Sequence, residues 1–128
     1  LGEWVHIEWL LLRPDGIHLL ETLEGAGQLI AGDVLPDWTQ VGERRFVFPN
    51  PLPNLEHKLA AVREQADKVP VACLLVLSDG LEFARARARN VILQAELGEI
   101  LPPLASHSRI PTVYTEVWNR LLAASRPE

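Results

Sequence analysis

Methionine is absent from this chain, and cysteine occurs once, at Cys73. A lone cysteine excludes an internal disulfide framework and a multi-cysteine zinc site. Cys73 lies within the run Val71-Ala72-Cys73-Leu74-Leu75-Val76-Leu77. It reads there as a small buried core residue, which fits a reducing, cytoplasmic compartment. Basic residues are also scarce, with 12 Lys and Arg against 17 Asp and Glu and a net charge of −5. A strongly basic nucleic-acid footprint is therefore excluded for the chain as a whole, although a local patch stays open. No run of about 18 apolar residues occurs, so no helical membrane span and no membrane contact are expected. The start Leu1-Gly2-Glu3-Trp4 has neither the basic opening nor the apolar stretch of a signal peptide. A Gly-rich phosphate loop, a Ser-His-Asp order and a zinc-ligand spacing are all missing. The lack of methionine, at position 1 included, reads as a segment cut from a longer chain.

What is present suits one globular domain over residues 1–128, with 48% hydrophobic and 23% charged residues. Two apolar runs, residues 5–12 and 17–23, flank Arg13-Pro14-Asp15-Gly16 and predict a β-hairpin. Short strands are expected at residues 28–31, 38–41 and 45–48. A Pro-rich connection then leads to Asn54, expected as a helix cap. Leu55, Leu59, Val62 and Ala66 recur at helical spacing and predict an amphipathic helix that Pro70 closes. Residues 71–77 form a continuous apolar run suited to a strand covered on both faces. Residues 90–93 read as a short strand, and residues 97–104 and 112–124 as helices, with Pro111 well placed at the start of the last one. This order predicts an α/β fold, a mixed sheet flanked by helices.

The hairpin carries the sharpest chemical signal. With Pro14 and Asp15 at the centre of the turn, Leu12 faces Ile17, Leu10 faces Leu19, Glu8 faces Glu21 and His6 faces Leu23. Side chains alternate across a strand, so these pairs share one face. Two opposed carboxylates beside an apolar surface are unfavourable. A bound cation, a shared proton or a basic neighbour would relieve them. A divalent metal held by both carboxylates is one reading; a different register or an exposed sheet end is the plain one.

The string from His6 to Ile17, followed by Glu21-Thr22-Leu23, resembles the opening of the nuclease-related domain family. That family has an Asp, apolar residues, a Gly turn and a strand ending in Glu-x-Lys. It continues with a Trp, Asn-Pro-Leu, a nearby Gln, a helix and a buried strand after Pro. Here Trp38, Asn50-Pro51-Leu52, Asn54, the helix from Leu55 and Val69-Pro70-Val71 follow in that order, and the similarity covers roughly residues 6–95. The resemblance implies a core similar to that of restriction endonucleases. It also implies Mg²⁺ or Mn²⁺ at Glu8 and Glu21, the positions that match the family's carboxylates. Metal polarises a phosphoryl oxygen and lowers the pKa of its water, and a neighbouring lysine stabilises developing charge. This chain departs from the pattern at three positions. Glu8 replaces Asp, Asn54 replaces Gln, and Leu23, which neither donates nor carries charge, stands at the lysine position. The acidic residue that the family carries on a helix before the first strand would lie upstream of Leu1.

The departures imply a degenerate nuclease-like domain acting as a nucleic-acid- or protein-binding, scaffolding module. The alternative is a metal-dependent DNA nuclease with a substituted lysine, for which His6, Arg44, Arg45 and Lys58 are candidates. Arg85, Arg87 and Arg89 would point one way if extended and suit phosphate contacts; a solvated loop is the plain reading. His18, Thr22, Asp33 and Asp37 are expected as structural or turn residues, Ser78-Asp79-Gly80 as a turn, and Trp4, Trp9, Trp38 and Trp118 as packing residues.

Overall fold

The computed structural model of the protein describes residues 5–105 and 108–126; Trp4 lies outside them. Pro14 and Asp15 form the hairpin turn between β1 (Trp9–Arg13) and β2 (Gly16–Leu23). The antiparallel register pairs Arg13 with Gly16, Leu12 with Ile17 and Leu10 with Leu19. Gly16 has φ +130°, and a Cβ there would collide with the Pro70 carbonyl. That close approach lets the Ile17 N–H donate to the Pro70 oxygen at 2.9 Å, where β2 begins to run alongside β6 (Val71–Leu77). β2 and β6 are parallel, Ile17 beside Val71 and Leu23 beside Leu77. Parallel neighbours need a crossover, and α1 (Leu52–Ala66) leads into β6 to complete it.

A second set of strands interrupts this crossover. β3 (Gly27–Ile30), β4 (Asp37–Val41) and β5 (Arg45–Pro49) form a meander, and β7 (Leu81–Phe83) lies parallel to β3. β8 (Val91–Leu93), α2 (Leu97–Ile100) and α3 (Thr112–Ala124) complete the described elements. The α/β expectation holds, with the strands divided into two mixed four-stranded sheets, β1-β2-β6-β8 and β5-β4-β3-β7. The division has a local cause. Residues 24–26 separate β2 from β3, and residues 78–80 separate β6 from β7, at the same level of the paired strands. Across this joint the Ser78 hydroxyl accepts from the Gly25 N–H and donates to the Gly25 carbonyl, both at 3.2 Å. The Gly27 N–H donates to Gly80 O at 2.9 Å. Gly27 has φ +101° and no space for a Cβ beside the Val41 carbonyl, so only glycine fits where the chain turns from one sheet into the other.

One core spans both sheets. Ile17, Leu19, Leu75 and Leu77 of the first sheet share it with Leu29, Trp38 and Leu81 of the second, and with Leu55, Val62, Val117 and Leu121 of the helices. Burying each large aliphatic side chain contributes about 1.5–3 kcal/mol. Trp38 is fully buried, its Nε1 donating to Gly32 O at 3.0 Å, with Phe48 edge-on at 6.4 Å. Cys73 is buried as expected, and burial pushes its thiol pKa up.

Three boundaries differ from expectation. Helix α1 starts at Leu52, before Asn54, because Pro51 and Pro53 are accommodated in its first turn, where their missing N–H groups cost nothing. Asn50 serves the start instead, its Oδ1 accepting from the Leu52 N–H at 2.9 Å. Helix α2 stops at Ile100, since Pro102 denies the next residues a helical conformation. Strand β7 has only three residues, too few to show a period.

Candidate functional site

On β2, Ile17, Leu19 and Glu21 face one way, and His18, Leu20 and Thr22 the other. The first face meets α1. Along α1, Lys58 falls three residues after Leu55 and four before Val62, both buried. It therefore lies on the helix's inward stripe, and its ammonium is carried to the sheet. There Lys58 Nζ donates to Glu21 Oε1, each side chain only 12% exposed. Of the basic candidates, Lys58 is thus the one the fold brings to the carboxylates. Arg44 and Arg45 belong to the β4–β5 hairpin, and His6 precedes β1 at an exposed position.

Glu8 reaches the same place by another route. β1 begins at Trp9, so Glu8 lies one residue outside the ladder. Its carboxylate folds over the edge of β2, with Oε1 accepting from the Thr22 N–H at 3.1 Å and Oε2 from the Thr22 hydroxyl at 2.7 Å. The side chain thus replaces the strand that has ended. Partial burial pushes the Glu8 pKa up. The two Thr22 donors, the adjoining Glu21 carboxyl and the Lys58 charge outweigh this and hold it below the usual carboxylate range. Thr22, expected only as a structural residue on the opposite face, is thus the direct partner of Glu8. A Thr one position past a strand glutamate is too common a pattern to have announced it.

Leu23 stands half-buried against the core, beside Leu77. Its position is a packing position, which explains an apolar residue there. The polar geometry does not leave both carboxylates open to a divalent cation, because Lys58 occupies Glu21. Such ions take about six or more oxygen ligands, several from the protein or water. Here there are two carboxylates, one closed by an ammonium. Among the described residues, no three His, Cys, Asp or Glu side chains come together as metal ligands.

The opposite face of the first sheet carries an open groove of about 330 Å³, lined chiefly by Trp9, Leu11, Leu20, Val76 and Leu97. Trp9 is 57% exposed there, less packed than expected, whereas Trp38 and the half-buried Trp118 join the core.

The three arginines lie in the bent segment between β7 and β8, not in an extended run. Arg87 Nη1 donates to Glu96 Oε1 at 2.6 Å, and its guanidinium lies 4.8 Å from the centre of the Phe83 ring. Glu96 also accepts from the Leu93 N–H at 2.8 Å. The Arg87 hydrogen bond, then the Leu93 one, holds the Glu96 pKa below its usual range. Ala88 is buried, and the Arg89 N–H donates to Asp33 Oδ1 at 2.5 Å, anchoring the segment on both sides. The side chains of Arg85 and Arg89 are exposed. His18 Nε2 and Asp15 Oδ1 lie 2.8 Å apart, and that bond holds the Asp15 pKa down. No helix among the described residues is long and apolar enough to cross a membrane.

Compared with family models, curated proteins and solved structures, the chain gives no match.

Proposed function

We propose that this chain is a nuclease-like domain whose carboxylate pair has become structural, and that it works as a binding or scaffolding module. The observation that carries this reading is the destination of the two charges. Glu21 is neutralised by Lys58 in a nearly enclosed ion pair, and Glu8 is held by both donors of Thr22. A metal would have to displace Lys58 from Glu21 before gaining two carboxylates, and Leu23 supplies no base at the lysine position. A protein partner is favoured over nucleic acid. The net charge is −5, and of the three exposed arginines Arg87 is already engaged by Glu96 and Phe83, which leaves Arg85 and Arg89 to meet a phosphate.

The resemblance to the nuclease-related domain keeps a second reading in view, because Lys58 does place an amine against Glu21. Incubation with DNA and Mg²⁺ or Mn²⁺ decides between them. A structural pair gives no degradation above that of the Glu21→Ala protein. Degradation that this substitution abolishes would establish the enzyme. Binding to short DNA at low salt that weakens on replacing Arg85 and Arg89 would make nucleic acid the partner.

A further inference from the structure

Strand β5 is an edge. It pairs with β4 alone, leaving its other side without a neighbour among the described residues. The direction of its free backbone groups follows from one hydrogen bond. The Asn50 N–H donates to Pro36 O at 3.0 Å, and hydrogen-bonded pairs alternate along an antiparallel ladder. Phe48 and Phe46 therefore turn their N–H and C=O groups toward β4, and Arg45, Val47 and Pro49 turn theirs outward. Pro49 has no N–H, so it sits on the outward side without breaking the ladder.

Each face of this edge carries an exposed apolar side chain. Phe46 is 54% and Val47 64% exposed. Arg45 and Asp37 are exposed too, and neither has a charged partner among the described residues. An uncovered edge with exposed apolar side chains is a template for another strand.

We propose that β5 pairs with β5 of a second copy of this chain, antiparallel about Val47, joining two sheets into one across a two-fold axis. The edge is complementary to itself in this register. Each Val47 N–H meets the other's carbonyl, and each Arg45 N–H meets the carbonyl of Pro49 in the second copy. On one face, Phe46 of each copy covers Phe48 of the other and extends the aromatic contact that Phe48 makes with Trp38. On the other face, Asp37, its neighbour Pro49 and Arg45 of the second copy form a row. Strands lie about 4.8 Å apart, so Asp37 and that Arg45 are roughly 10 Å apart at their Cα atoms, within reach of an extended arginine over the proline ring. No like charges oppose each other. The Arg45 carbonyl, opposite the ring nitrogen of Pro49 in the second copy, stays open to water; a generic strand would leave Arg45 and Asp37 without their opposite charges. An isologous interface of this type closes as a dimer and does not propagate.

Sedimentation equilibrium on the whole chain tests this. The expected mass is twice the 14.3 kDa of one chain, at concentrations on the order of tens of micromolar. Val47→Lys, at an exposed position, sets two ammonium groups against each other at the axis. It should weaken dimerisation at least about tenfold with an unchanged circular dichroism spectrum. Arg45→Asp should weaken it as well, and the double variant R45D/D37R should restore it. A chain that stays monomeric, a dimer indifferent to Val47→Lys, or a double variant no better than Arg45→Asp overturns the proposal.

Discussion

At the scale of residues, four side chains settle the charge of the hairpin end. The register that brings the two glutamates to neighbouring positions can be read as far as Trp9 and Leu20, since Pro-Asp-Gly places the turn and alternation does the rest, and Glu8 lies one residue beyond the ladder. Their partners could not be read so directly. Lys58 was one polar residue among several on α1, although its spacing from Leu55 and Val62 already places it on the inward stripe. Thr22 binds Glu8 only because β1 begins no earlier than Trp9 and leaves a strand N–H open. The Glu8 pKa lies below its ordinary value of 4.5, so the unfolded chain binds more protons near that pH. The stabilisation is complete above the ordinary value and is lost as pH falls through the folded one. Thr22→Val removes the hydroxyl donor. We predict that the Glu8 carboxyl, followed by NMR titration, then moves up toward 4.5. An unmoved titration would mean that Thr22 does not hold it.

At the scale of elements, periodicity and turn chemistry account for most boundaries. β6 and α3 fall where the apolar run and Pro111 place them, and the β1–β2 hairpin has the expected register. The joint between the two sheets was not legible. It depends on Ser78 meeting Gly25, 53 positions away in sequence, and no local pattern encodes such a pairing. The start of α1 was legible only in part, because a proline-rich approach permits more than one cap. Asn50 does more there than end a loop. Its Nδ2 donates to the carbonyls of Gly32, Asp33 and Leu35 while its Oδ1 holds the Leu52 N–H. Asn50→Ala therefore releases both the helix start and the β3–β4 connection. We expect a loss of about 2 kcal/mol in urea unfolding, the upper end for a cap. Asn54→Ala, at the exposed position first expected to cap, should cost a few tenths of a kcal/mol.

At the scale of the whole molecule, the order of elements was enough for the α/β class, and the division into two sheets followed from a joint visible only in three dimensions. The proposed likeness to the nuclease-related domain rests on the order of weak motifs, and the proposed loss of cutting rests on the nearly enclosed ion pair between α1 and β2. That pair also binds the helix layer to the first sheet, so its character is a property of the assembled fold. Urea unfolding of the Glu21–Lys58 double-mutant cycle measures it. Lys58→Met leaves a nearly enclosed carboxylate without its counter-charge and should destabilise the protein by about 3 kcal/mol, and E21L/K58M should recover most of this. If Lys58→Met leaves stability unchanged, or the double variant is no more stable than the single one, the pair does not hold the fold together and its structural role is refuted.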